Sequence, residues 1–393
     1  QVMFNMLNLP QGSSQTGDLE ITYNEIDTPY IKYDLCLYAQ EHDEQIYLEL
    51  SYLTDLFDET TVARMLDNYR TLLVSLVENP ELPISKADLL SEWEKETLVH
   101  RFNDTDCDYQ NDRCIHQLFE DQVDKTPDAV AFFSGTGQLT YAQLNERSNQ
   151  LAHHLRAQGL TRETRVAICL ERGLEMVVGL MAVMKAGGVY VALDPDYPRL
   201  RIKDILTDTG AGILLLQRPT DCFEEYTGIK VYIDSDRKKL DQLETSNPDC
   251  QSTPTDLLNI VYTSSTTGSP KGVLINMDAV LNRLFWMWEN RPFETGTVAL
   301  LQKSYALVAA TWECFGALLQ GYPTVILTRQ EVLDPAVFWN SLVGKKVTHL
   351  LASPAVLEGV LTEADAHPGQ WDSVRLATTS AEPVSPAMVQ RWK

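Results

Sequence analysis

Near the start of the chain apolar and polar positions alternate with a period of two, the spacing of half-buried strands. LEITYNEI, YIKYDLCLYAQ and QIYLELSY, within residues 19–52, each read as a strand, and EHDEQ makes the turn between the last two. The period then changes. Val62, Met65, Leu66, Tyr69, Leu72, Leu73, Leu76 and Val77 recur at helical spacing behind a cap at Asp58 or Thr60, and Asn79-Pro80 ends that helix. A short helix, SEWEKETLVHRF, and a polar connector, NDTDCDYQNDR, follow.

From Ile115 the two periods take turns. Helix IHQLFEDQV, strand AVAFF and the long amphipathic TYAQLNERSNQLAHHLRAQG come first. Strands RVAICL, VYVAL and GILLLQ are separated by helices LEMVVGLMAVMKAG and RLRIKDILTDTG. IKVYI, LLNIVYT, VALLQ, TVILT and VTHLLA add strands, with helices at 310–320 and around VFWNSLV. Strands alternating with helices of this length predict an α/β layered domain with a largely parallel sheet. The boundaries read as 1–95, a linker at 96–112, and 113–393. The opening VMFNMLNL is strand-like material from the middle of a domain, so the chain reads as a fragment.

Composition narrows the function classes. The 393 residues are 44% hydrophobic and 22% charged, which is globular. A net charge of −23, spread along the chain, argues against nucleic acid and anionic membranes as partners. No apolar run approaches the roughly 18 residues of a membrane span, and no signal peptide opens the chain. Cys36, Cys107, Cys114, Cys169, Cys222, Cys250 and Cys314 make no CxxC pair and no zinc-ligand spacing. They read as structural thiols in a reducing cytoplasm.

The candidate chemistry lies in NIVYTSSTTGSPKGV (259–273). An apolar strand ends in a run of hydroxyl and glycine residues at the place where open α/β sheets bind ligands. Thr263, Ser264, Ser265, Thr266 and Thr267 offer hydroxyls and backbone N–H groups to phosphate oxygens, and Lys271 adds a point charge. The GxxxxGK[ST] of a Walker loop is absent.

YTSSTTGSPKGV resembles the phosphate-binding signature YTSGTTGxPKGV of adenylate-forming enzymes. LTYAQLN (139–145), MKAGGVYVALDPDYP (184–198) and TWECFGALLQG (311–321) are similar, in the right order, to adenylation domains of nonribosomal peptide synthetases. RFNDTDCDYQNDRCIHQLFEDQVDKTPDAVA resembles their linker and domain entry. QVMFNMLN, DLFDETTVARMLDNYRTLL and NPELPISKADLLSEWE resemble the last part of a condensation domain, without its HHxxxDG motif. His153-His154 belongs to a helix and is not that motif. The resemblance implies the large-subdomain fold of adenylate-forming enzymes, preceded by part of a chloramphenicol-acetyltransferase-like α/β lobe.

It also implies a reaction. A carboxylate is joined to the α-phosphate of ATP with Mg²⁺, pyrophosphate leaves, and the acyl group passes to the phosphopantetheine thiol of a carrier domain. Thr263, Ser264, Thr266, Thr267, Gly268 and Lys271 would hold the β- and γ-phosphates. Ser265 departs from the family's glycine, and a side chain at φ > 0 there would cost on the order of 1 kcal/mol. Val308, Ala309, Trp312, Ala355, Thr378 and Ser380 would line the acyl pocket, whose small apolar character suits a branched aliphatic side chain.

A second departure bears on substrate. Amino-acid-activating relatives carry an aspartate in FDxSxW for the substrate ammonium, and without it a buried ammonium would cost several kcal/mol. Counting back from Trp312, Val308 stands in its place, and no acidic residue lies between Lys303 and Glu313. The implied substrate is an acid without an α-amine, as in keto- or hydroxy-acid-activating depsipeptide synthetases and aryl-acid enzymes; the condensation-like segment favours the depsipeptide type, whose modules often carry a ketoreductase. The later motifs, YGPTE, the TGD aspartate and the lid with its catalytic lysine, are not in these residues. A non-activating scaffold, an ordinary amino-acid-activating domain and a stand-alone acyl-CoA synthetase are the competing readings.

Overall fold

The structure is a computed structural model. It describes residues 1–393 except 8–13, 17–18, 22–29, 43, 110–111, 264–269, 371 and 393. It divides into two compact units, Gln1–Asp108 and Tyr109–Lys393.

In the first unit β1 (Val2–Leu7) runs parallel to β4 (Leu35–His42), and β4 pairs antiparallel with β5 (Gln45–Tyr52). A small hairpin joins β2 (Ser14–Thr16) to β3 (Leu19–Ile21). The alternation at 30–34 is not strand: pairing in β4 starts only at Leu35. Helix α1 (Glu59–Glu78) starts at Asp58, whose side chain makes no capping bond. Helix α2 (Glu92–Val99) has a full capping box. Glu94 N donates to Ser91 Oγ at 3.3 Å, and Ser91 N donates to Glu94 Oε2 at 3.0 Å.

The second unit starts with α3 (Ile115–Lys125), the hairpin β6 (Val130–Ser134) and β7 (Gly137–Thr140), and α4 (Tyr141–Ala157). Then come β8 (Arg165–Cys169), α5 (Leu174–Ala186), β9 (Val189–Ala192), α6 (Arg199–Thr209), β10 (Ile213–Leu216), β11 (Ile229–Tyr232) and α7 (Arg237–Leu240). β12 (Leu257–Thr263), β13 (Lys271–Asn276), α8 (Met277–Asn290), β14 (Ala299–Leu301), α9 (Ala310–Phe315) and β15 (Thr324–Ile326) follow. The last elements are α10 (Arg329–Leu333), α11 (Pro335–Gly344), β16 (His349–Ala352), α12 (Pro354–Ala366), β17 (Leu376–Thr379) and α13 (Pro386–Trp392).

One sheet has the order β11-β10-β8-β9-β12-β13, parallel except for the last pair, and a second has the order β14-β15-β6-β7. Alternate strand residues face different cores. Val166, Ile168, Tyr190 and Leu215 face a core shared with α4 and α5, while Ala167, Val189, Val191 and Leu214 pack under Ile202 and Ile205 of α6. In the second sheet Phe132, Leu301 and Ile326 face the shared core, and Leu300 and Val325 face α11 and α12. The unit is therefore helix, sheet, helix, sheet, helix in succession, the α/β layering that the alternating periods predict. α5 is buried on every side because it lies between the sheets.

The end of α5 explains the KAGG sequence. Gly187 caps the helix at φ 88°, and a Cβ on Gly188 would stand 3.1 Å from Leu160, Val183 and Thr164 O. Lys185 is fully buried, donating to Glu120 and, at 3.1 Å, to Asn247 Oδ1. Burial holds its pKa below the usual lysine range against the opposing pull of Glu120. Lys185→Ala strands the Glu120 carboxylate and is expected to lower the unfolding free energy in urea by about 3 kcal/mol. Lys185→Met combined with Glu120→Leu, which replaces the pair by apolar groups, should recover most of that loss.

Candidate functional site

β12 lies between β9 and β13, and its carboxyl end carries Thr263 to the edge shared by β8, β9 and β10. The sequence reading missed β13, which returns antiparallel and pairs Lys271 with Thr263. Ser264, Ser265, Thr266, Thr267 and Gly268 lie outside the described residues. Gly272 is dictated by packing, since a Cβ there would meet the Tyr262 ring at 3.0 Å and Ile260 Cγ2 at 3.1 Å. The Tyr262 hydroxyl is in turn held by Asp208 of α6. Lys271 is exposed and has no ion pair among the described residues.

The other half of the site begins where β14 ends. β16 and β17 are parallel, Leu351 opposite Thr378, and Thr348 N donates to Val298 O at 2.8 Å just before β14. Pro354 opens α12 beyond β16, so Ala355 stands past that strand's end and Ser380 past the end of β17. Both are exposed. Val308 and Ala309 stand at the entry of α9, where Val308 O accepts from Thr311 N at 3.1 Å and Thr311 Oγ1 at 2.7 Å. Val308 is 43% exposed.

Of the six residues expected to line an acyl pocket, the structure places Trp312 and Thr378 on one cavity of about 20 Å³, with Phe293 and His349 beside them. That is room for about one water. The indole of Trp312 stacks on Phe293 with centroids 5.4 Å apart. Val308, Ala309, Ala355 and Ser380 do not line this cavity. The helix expected over 310–320 also stops early, at Phe315. Trp288 Nε1 takes the carbonyl of Gly316 at 2.9 Å, and the chain resumes as a short 3₁₀ turn at Leu318–Gln320. A Cβ at 316 would come within 2.7 Å of the Trp312 ring, so the glycine lets the indole lie over the helix end.

Sequence reasoning missed Glu313, which follows the tryptophan it singled out. Its Oε2 accepts from Gln302 N at 2.9 Å and Lys303 N at 2.8 Å, fastening the segment before Val308 to α9. The side chain is 3% exposed, and Oε1 has no partner among the described residues. Burial pushes its pKa up to about 7, against the two backbone N–H bonds that favour the charged form. A lone glutamate after a tryptophan carries no periodicity that could announce this.

Two family models match the chain: "Condensation domain" over residues 1–99 and "AMP-binding enzyme" over residues 119–393. The chain belongs to the AMP-binding enzyme family. In this AMP-binding enzyme a condensation segment precedes the adenylate-forming domain, the order of nonribosomal peptide synthetase modules. It is 34% identical over 400 residues to gramicidin S synthase 2 of Brevibacillus brevis, covering 100% of this chain and 9% of that protein. It is also 34% identical over 375 residues to tyrocidine synthase 3 of Brevibacillus parabrevis, covering 93% of this chain and 6% of that one. The crystal structure of the nonribosomal peptide synthetase FmoA3 superposes with TM-score 0.80 at 22% identity, covering 99% of this chain and 42% of that chain. The fold is thus that of adenylate-forming enzymes. No helix among the described residues is long and apolar enough to cross a membrane.

The Glu313 geometry fixes a pH dependence. Burial raises its pKa from the ordinary glutamate value of 4.5 to about 7, so the folded state holds a proton that the unfolded chain has lost between these values. Stability from this group is full below about 4.5 and declines as pH rises through about 7, by about 3 kcal/mol in all. Glu313→Gln cannot ionise, and urea denaturation from pH 5 to 8 should show that decline removed from the variant.

Proposed function

We propose that this AMP-binding enzyme activates a small carboxylic acid with ATP, forming acyl-AMP and pyrophosphate. The observation that carries the reading is the pairing of Thr263 with Lys271 at the carboxyl edge of the large sheet, in a segment matched by the AMP-binding family model. Thr263, Ser264, Thr266, Thr267, Gly268 and Lys271 hold the β- and γ-phosphates, with Ser265 among them. Lys271, exposed and without an ion pair among the described residues, fits a polyanion. Mg²⁺ neutralises the phosphate charge when bound. Among the described residues no three His, Cys, Asp or Glu side chains cluster, which fits a Mg²⁺ held mainly by phosphates and water.

In the chemical step one carboxylate oxygen attacks the α-phosphorus, and the bond to the bridging oxygen of pyrophosphate breaks. Positioning and charge neutralisation supply the rate. The acyl group then passes to the phosphopantetheine thiol of a carrier domain, with AMP as the leaving group.

Val308, Ala309, Trp312, Ala355, Thr378 and Ser380 line the acyl side, and the substrate is a 2-keto or 2-hydroxy acid. The supporting observations concern charge. Val308 offers no carboxylate, and the sequence has no acidic residue between Lys303 and Glu313. An α-ammonium would therefore find no counter-charge on the residues that lead into α9. The 2-keto or 2-hydroxy group carries no such demand.

The test is substrate-dependent ATP–pyrophosphate exchange on the natural full-length protein, with leucine and valine set against their 2-keto and 2-hydroxy counterparts. Exchange with the keto or hydroxy acids alone is expected. Exchange with the amino acids would overturn the substrate reading, and none with any acid would favour the scaffold. Lys271→Ala is expected to raise the KM for ATP about tenfold or more, the loss of one charged hydrogen bond to phosphate. Val308→Asp should lower exchange with the favoured keto or hydroxy acid at least tenfold, because the bound acid would cover a carboxylate that it cannot pair.

A further inference from the structure

Between β14 and α9 the chain crosses the carboxyl edge of the other sheet, and there it is tied down. The Tyr305 side chain is 4% exposed. Its hydroxyl donates to Leu193 O at 2.7 Å and accepts from Leu170 N at 3.0 Å, closing the ends of β9 and β8 with one group. Ile168 O, also 3.0 Å from that hydroxyl, already accepts from Leu193 N at 2.9 Å. The preceding residue, Ser304, donates to Asp194, and Arg172 donates to Gln302 O. β9 is in turn hydrogen-bonded to β12, with Tyr190 opposite Asn259 and Val191 opposite Ile260. Val308 lies three residues beyond Tyr305, and Thr263 three residues beyond Ile260.

We propose that Tyr305 is a positioning residue that sets the acyl-side segment against the phosphate-side strand, so that acid and ATP bind synergistically. The proposal rests on the acyl and phosphate roles given under Proposed function. Its physical basis is the backbone accounting of the two strand ends. Without the hydroxyl, Leu170 N–H and Leu193 C=O are buried with one partner fewer, and the segment keeps its packing but loses its directional tie. A phenylalanine ring fills the same volume, so the core survives.

The test compares Tyr305→Phe with the natural full-length protein. With ATP saturating, the KM for the acid is expected to rise about tenfold, while ATP binding without acid stays within about twofold. Ser304→Ala, the milder variant, should shift the acid KM in the same direction by about threefold. A fall in kcat with both KM values unchanged would mark Tyr305 as core packing alone and overturn the proposal. So would equal weakening of ATP and acid. Amide hydrogen exchange keeps the question separate from the choice of acid: Tyr305→Phe should raise exchange both at 302–309 and at the end of β12. Unchanged protection at either place overturns the proposal, whether or not any acid supports pyrophosphate exchange. A wild-type protein inert towards every acid would instead count against the proposed function.

Discussion

A helix that is apolar on every side has to be covered on every side, and α5 imposes that demand on the second unit. One sheet covers it through Val166, Ile168 and Leu215, the other through Phe132 and Ile326. Each sheet then shows its opposite face to another helix layer, so its strands are apolar on both faces and read as near-continuous hydrophobic runs. Function is pushed to the strand ends, the places where the chain leaves the layers. Thr263 ends a strand of the first sheet, and the segment leading to Val308 leaves a strand of the second.

Much of this was legible because periodicity is a property of burial. RVAICL, VYVAL and GILLLQ are apolar runs bounded by helices of clear amphipathicity or uniform apolarity, and each became a strand of the parallel sheet. β13 was not legible. KGVLIN lies at the sheet edge with Val273 and Leu274 exposed, so its apolar residues do not alternate with a buried face. The 30–34 stretch failed in the opposite way, alternating in sequence without a strand partner before Leu35.

At the candidate site, the hydroxyl- and glycine-rich segment stands out in the sequence but lies largely outside the described residues, and Trp312 stands out through its neighbours. Glu313, Tyr305 and Phe293 did not. Their roles come from partners far off in sequence: Tyr305 meets Leu170 across 135 residues, and Phe293 meets His349 across a turn of the fold. Single-residue identity carries no such information. The break of α9 at Gly316 was equally hidden, since it depends on an indole from α8 capturing a carbonyl.

The reach of the Tyr305 tie has a temporal side. Residues 165–193 supply β8, α5 and β9 in one stretch, and β8 pairs with β9 within it. Their carboxyl edge nevertheless lacks its last hydrogen-bond partner until a residue 135 positions after Leu170 has been made. At ordinary elongation rates that wait is roughly ten seconds. Until then the strand ends that Tyr305 closes, at Leu170 and Leu193, lack that partner.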